Sequence, residues 1–365
     1  MSRENKIDNK INVVTSMEQW RELSKEWNDL LHRSGSNRVF LTSEWLYSWA
    51  ECFLKEDRAL YILTVYNDKT LIGIAPWCIR KARYAGFPMR RIEFLGTPET
   101  GSDYLDVFAK KGKEKEVTRS IYHFLFGEGA SQWDCFGFLD IPSDSLFLLH
   151  FMELMQEDGK YLEVEAGAFC PIFALPKTRE DFLAKLSYSR RQRYLRDSRI
   201  LEKEGDVRHD SIKLESGLAL KEFRALYQKR WTDSDPLFLF LEQALLRFQG
   251  GDQVQLDLLN VNGRMVAGLL HLRYGESLSL YLMAVDHTFN KTISIGNILV
   301  GRSIEKAMAE GFSEYNFLKG NEEYKFYWAD QGDRSLHLFF YKRRWPLLIW
   351  LTVRFLKSIA KIWVR

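Results

Sequence analysis

The four cysteines of this 365-residue chain, Cys52, Cys78, Cys135 and Cys170, stand far apart and never form a Cys-x-x-Cys pair. That spacing excludes a disulfide framework and the usual zinc sites, and it suits a reducing compartment. The seven histidines are equally scattered, with no His-x-x-x-His spacing, so no metal is expected. A nucleophile elbow, a Ser-His-Asp order and a Walker loop are missing too, which removes the commonest hydrolase and nucleotidase readings. The first ten residues are polar and lack the apolar stretch and cleavage site of a secretory signal. Acidic residues are absent from Ser335 to Arg365, where seven basic ones lie. The rest is therefore mildly acidic, which excludes the pervasive basic face of a DNA-binding protein.

What is present is ample core material. The chain is 46% hydrophobic and 14% aromatic, and its length suits two domains of roughly 150 to 200 residues. Self-comparison supports that division. Tyr66–Gly73 aligns with Val261–Gly268 at an offset of 195, each reading as strand, tight Asn-Asp or Asn-Gly turn, and second strand. The same offset pairs Phe40–Phe53 with Asp235–Phe248, and Cys135–Leu139 corresponds to Glu314–Leu318 at a shorter one. A tandem duplication follows, each half running helix, helix, hairpin, strand, helix, strand.

Apolar period and Ser/Thr starts place helices at Ser16–Leu31, Ser43–Leu54, Glu116–Phe126, Gly217–Trp231, Pro236–Arg247 and Gly296–Ala309. Strands are expected at Leu60–Tyr66, Thr70–Ile79, Arg91–Leu95, Tyr104–Phe108 and Asp134–Leu139. In the second half they fall at Gln255–Val261, Met265–Tyr274, Ser277–Val285, Ser313–Leu318 and Ser335–Tyr341. The fold class is α/β with a mixed sheet.

The densest chemistry follows the strand at Tyr315–Leu318. Phe317-Leu318-Lys319-Gly320-Asn321-Glu322 runs into Tyr324-Lys325-Phe326-Tyr327-Trp328, a glycine break followed by carboxylates, a lysine and aromatics. Strand ends of this kind are where α/β proteins place function. In order and spacing the stretch resembles the GNAT-related acyltransferases of the FemA/FemB and CelD type, associated with bacterial cell-wall and exopolysaccharide synthesis. Asn316 departs from the pattern, because that family has an acidic residue on the strand. The resemblance covers nearly the whole chain and implies two GNAT-like lobes: 11–170 supporting, 171–342 catalytic and including a bridging basic helix at 187–204.

The resemblance further implies an acyl-CoA site at Ser277–Val285, the loop after it and the next helix. Ser294, Gly296 and Asn297 open that helix, whose unpaired N–H groups suit a pyrophosphate. Backbone along Tyr281, Ala284 and Val285 would polarise the acyl carbonyl. Glu322 or Glu323 would take the amine proton, with Tyr324, Lys325 and Asn316 completing the catalytic set. Arg190 and Arg193, on a helix with five arginines in ten positions, would hold a phosphate. Lys319, Trp328 and Trp231 would touch the acceptor.

Residues 343–365 read as an amphipathic tail helix, with Arg354, Lys357, Lys361 and Arg365 on one arc. A cytoplasmic protein, peripheral on the inner membrane face, is expected. The leading function is an N-acyltransferase carrying an acyl group, acetyl by preference, from acyl-CoA to an amine of a sugar, envelope or polysaccharide-related molecule. A FemA/FemB-type peptidyltransferase using aminoacyl-tRNA and a non-catalytic subunit of a polysaccharide machine stand beside it.

Overall fold

The computed structural model describes residues 9–342 apart from 85, 215–216 and 249–251; the expected tail helix at 343–365 lies outside them. Among the described residues no helix is long and apolar enough to cross a membrane. No group of three or more His, Cys, Asp or Glu among them is placed to hold a metal ion. They form two compact units. One takes in the residues up to Gly167 and those from Ser335 onward, the other Ala168–Arg334.

The first unit contains β1 (Lys10–Val14), α1 (Met17–His32), α2 (Ser43–Phe53), β2 (Arg58–Leu60), β3 (Ile62–Asn67), β4 (Thr70–Ala75), β5 (Trp77–Tyr84), β6 (Phe87–Phe94), β7 (Phe108–Ala109), α3 (Glu114–Phe126), β8 (Cys135–Pro142), α4 (Leu146–Glu157) and the start of β9 (Glu163–Ala174). The second contains α5 (Arg179–Lys185), α6 (Tyr188–Leu201), β10 (Val207–Lys213), α7 (Gly217–Gln228), α8 (Asp235–Arg247), β11 (Val254–Val261), β12 (Arg264–Tyr274), β13 (Ser277–Val285), α9 (Ile295–Ala309), β14 (Glu314–Asn316), α10 (Glu323–Trp328) and the start of β15 (Gln331–Tyr341).

In the first unit β1, β3, β4 and β7 pair antiparallel in that order. In the second the order is β10-β11-β12-β13-β14-β9, antiparallel except for the parallel β13–β14 pair. Helix starts follow capping chemistry. Ser16 accepts the Gln19 N–H at 3.3 Å, and α1 then buries Trp20, Leu23, Trp27, Leu30 and Leu31 along one stripe. Ser187 caps α6 in the same way, burying Tyr194, Asp197 and Leu201 while its arginines stay outside.

From α7 the second unit runs helix, helix, hairpin, strand, helix, strand, and the first departs from that order by β2 before its hairpin and the β5–β6 pair after it. The hairpins fix the register of the duplication. Asn67 pairs with Thr70 and Val261 with Arg264, an offset of 194 residues, one short of the sequence alignment. Both hairpins carry a bulge at the matching place, Val65/Tyr66 and Leu259/Asn260. The left-handed turn positions are Asp68 in the first and Asn262-Gly263 in the second.

Three expected strands are altered. Thr70–Ile79 breaks at Pro76, which has no N–H for a ladder, and continues as β5 in a different sheet. Of Tyr104–Phe108 only Phe108 is extended in a ladder, because Tyr104 takes a left-handed φ of 55°. Ser313–Leu318 stops at Asn316, as Leu318 is left-handed too.

Candidate active site

In the second unit β13 stays paired with β12 as far as Val285 but with β14 only over Ser277–Ser279. Past Asn316 the chain turns toward β9, where the Phe317 N–H bonds the Pro171 carbonyl at 2.9 Å. The two parallel strands therefore splay, and Leu280–Val285 keeps one backbone edge outside the β13–β14 ladder. A bulge between Leu270 and His271 absorbs one extra residue, Tyr281, at the start of that edge.

Helix α9 begins where this edge ends. Its cap residue Ser294 makes no side-chain capping bond, so the N–H groups of Ile295, Gly296 and Asn297 point out of the helix without intrahelical acceptors. A Cβ on Gly296 would lie 3.2 Å from Val285 Cγ2 and 3.4 Å from Met283 Sδ. Glycine thus lets the helix start press against the open strand. Beside this junction is a cavity of about 480 Å³. Arg193, Arg230, Lys291, Ser294, Gly296, Asn297 and Tyr324 are among its walls. Three cationic side chains, all exposed, thus share the cavity with the positive end of a helix and its N–H groups, the elements that favour an anion. The Asn297 Oδ1 is buried and has no partner in the protein, as expected of a group that awaits one.

Two aspartates that sequence reasoning passed over hold the cavity in shape. Asp197, 2% exposed, accepts the Ser294 N–H at 3.1 Å and pairs with Arg196 at 2.7 Å and Arg193 at 3.8 Å. Asp286 closes a tight turn by accepting the Thr288 N–H at 3.0 Å and hydroxyl at 2.6 Å, and it also pairs with Arg264. These bonds, led by the Thr288 hydroxyl, hold its carboxyl well below the usual range. The Asp-x-Thr spacing was the available signal, since Asx turns favour it.

From Glu323 to Trp328 the polar–aromatic stretch is a short helix, α10. Lys325 is buried under it, its Nζ donating to the Lys319 carbonyl at 2.5 Å and facing Glu322 at 3.2 Å. It fastens the Gly320 break, where φ is 142° and any Cβ would strike Glu322 and Lys325. Asn316 is buried as well, accepting the Leu318 N–H at 2.9 Å. Tyr324 alone of the expected catalytic residues lines the cavity, and burial pushes its phenol pKa up. Glu322 and Glu323 are exposed and outside the walls.

Of the expected donor-site residues, Arg193, Val285, Ser294, Gly296 and Asn297 share the cavity. Ala284 is buried, Tyr281 lies further back on the strand, and Arg190 donates to the Tyr327 carbonyl at 3.2 Å. For the acceptor, Trp231 is half exposed, stacked near Tyr227 with Arg230 over its ring. Lys319 sits at the glycine break. Trp328 is corrected to a core residue, 2% exposed between Phe182, Tyr194 and Tyr327, with no face left for a ligand.

Residues 188–326 match the family model of the acetyltransferase (GNAT) domain. The fold is similar to that of FemX (TM-score 0.59, 11% identity, 89% of this chain and 97% of that one). It is also similar to L-PGS from Bacillus licheniformis (TM-score 0.54, 13% identity, 92% and 96% covered). At these identities the likeness is one of fold. No curated protein matches the chain in sequence.

Proposed function

We propose that this chain, whose residues 188–326 match the GNAT acetyltransferase domain, is an acyltransferase that moves an acyl group from acyl-CoA to an amine of a sugar, cell-envelope or polysaccharide-related small molecule. The observation that carries this reading is the cationic cavity at the start of α9, set against the open edge of β13. The second unit would be the catalytic lobe and the first its support.

Thioester aminolysis needs a positioned amine, a donor for the developing oxyanion and routes for two protons. As the amine nitrogen bonds the carbonyl carbon, the carbon–sulfur bond breaks, the nitrogen loses a proton and the thiolate gains one. Backbone N–H groups on the Leu280–Val285 edge would face the carbonyl oxygen. Tyr324, kept protonated by burial, would supply the thiolate proton. The nitrogen's proton would pass to water or to Glu322 or Glu323 at the exposed side. Arg193, Arg230 and Lys291 would hold donor phosphates. A lipid-borne acceptor would also account for the basic tail, which favours an anionic membrane surface.

Calorimetry on the full chain tests the reading. CoA is expected to bind, and the double variant Arg193→Ala, Lys291→Ala to bind it about tenfold or more weakly. Binding of aminoacyl-tRNA with no CoA affinity would replace this reading with the FemA/FemB type, and binding of neither would leave a non-catalytic subunit.

A further inference from the structure

The first unit has its own cavity, of about 340 Å³, built from the duplicated counterparts of the elements just described. Gly73 pairs with Ala109 as Ala267 pairs with Val285, so Val107 and Ala109 occupy the register of Met283 and Val285. Each pair lines its own cavity. Glu114 and Thr118 in the first turns of α3 stand where Ile295–Asn297 open α9. Gly35, Ser36 and Arg38 follow α1 as Arg230 follows α7.

The charge is inverted. The second-unit walls hold Arg193, Arg230 and Lys291 against Asp286, whereas the first-unit walls hold Asp106, Glu114 and Asp144 against Arg38. Glu114 and Glu116 already occupy the first turn of α3, using its positive end, and no glycine opens that helix. A pyrophosphate would meet carboxylates here.

Asp106 is the centre of the site. It is 1% exposed, and Ser36 and Ser145 donate to its two oxygens at 2.7 Å each, with the Val107 N–H on Oδ1 at 2.8 Å. Oδ1 thus accepts twice and Oδ2 once, which leaves Oδ2 one lone-pair direction. Burial first, opposed by the two serines and helped by Asp144, pushes the carboxyl up to about 7. A carboxylate kept in so dry a place gains from a cation that shares it.

We propose that this cavity is a second ligand site, which takes a compact molecule bearing a primary ammonium group, held by Asp106 with Glu114 at its side. The site belongs to the first unit alone and does not depend on the donor reading of the second. The ammonium hydrogen-bonds to Asp106 Oδ2, and Arg38, stacked over Tyr104 at 5.3 Å, limits the far wall. No covalent step is involved.

Calorimetry on the full chain at pH 8 tests this with ethanolamine, cadaverine and glucosamine, each against its neutral counterpart ethylene glycol, 1,5-pentanediol or N-acetylglucosamine. At least one amine is expected to bind about tenfold or more tightly than its neutral partner. Its affinity should fall as pH drops through about 7, where Asp106, facing Glu114, Asp144 and Arg38, takes up a proton. Asp106→Asn should abolish the binding while leaving CoA binding unchanged, the latter showing that the variant is folded. If Asp106→Asn does not fold, Glu114→Gln should weaken the amine instead. Equal binding of amine and neutral partner, no binding by any amine, or amine binding indifferent to both substitutions would overturn the proposal. So would pyrophosphate binding that Asp106→Asn removes.

Discussion

The Asp197 carboxylate accepts the Ser294 N–H at 3.1 Å, fastening the arginine-rich helix α6 to the first turn of α9. The bond is partly buried and takes up a donor at the helix start, so it fixes which N–H groups remain for a ligand. Asp197→Asn retains an acceptor and should leave CoA affinity within about threefold. Asp197→Ala leaves a half-buried N–H without its acceptor, a loss of roughly 1 kcal/mol, and should weaken CoA about fivefold to tenfold. Calorimetry on the two variants separates the geometric role from charge alone.

Gly296 makes a second prediction about the same junction. Its Cβ would meet Val285 and Met283 at 3.2 and 3.4 Å, so alanine must shift both by a few tenths of an ångström. Gly296→Ala should fold with little loss. Gly296→Val cannot be accommodated without moving α9 off the strand, and should cost about 1–3 kcal/mol while abolishing measurable CoA binding. Thermal denaturation and calorimetry on both variants check it.

These sites show where the sequence was legible. The duplication was, because hairpins with Asn-Asp and Asn-Gly turns mark their own strands. Its register was one residue off. Matching Gly73 to Gly268 looks natural, yet a Cβ on Gly73 would meet Val117 of α3 and one on Gly268 would meet Phe223 of α7. The two glycines serve different packings on alternate strand faces, which a one-residue shift exchanges. Gly296 and Asn297 could be found from the helix start. Asp197 could not, since its partner lies 97 residues on and nothing local marks the bond. Trp328 misled for a related reason: an aromatic among charges reads as exposed until α10 turns it inward.

Tyr324 carries the chemical prediction. Its phenol is largely buried, its pKa is raised by that burial, and it reaches the cavity wall. Tyr324→Phe removes the proton donor and little volume. It should lower kcat by about a hundredfold while changing CoA affinity by less than about threefold. An unchanged kcat would transfer the role to solvent. Because burial keeps the wild-type phenol protonated, no fall in kcat attributable to Tyr324 is expected between pH 7 and pH 9.

A pH prediction follows from the core of the second unit. His271 and Asp257 are both fully buried, with Nδ1 and Oδ2 3.6 Å apart, and His271 Nε2 lies 2.7 Å from the Tyr315 hydroxyl. Burial outweighs the attraction of Asp257 and pushes His271 down to about 4. The folded protein therefore keeps the ring neutral down to about pH 4, whereas the unfolded chain takes up a proton below about 6.5. Between those values the unfolded state binds more protons at this ring, so the contribution of His271 is full above pH 6.5 and declines as pH falls. One histidine contributes a slope of up to about 1.4 kcal/mol per pH unit. His209, also lowered chiefly by burial, acts in the same direction. Urea unfolding at intervals from pH 8 to pH 4, run on the wild type and on His271→Gln, should show the wild type losing more stability than the variant as pH falls below 6.5. Asp106, pushed up to about 7, takes up its proton earlier in the folded state and works against this decline, so the test is the difference between the two curves: wild type and His271→Gln running parallel from pH 6.5 to pH 4 would mean that His271 is charged inside the fold, paired with Asp257.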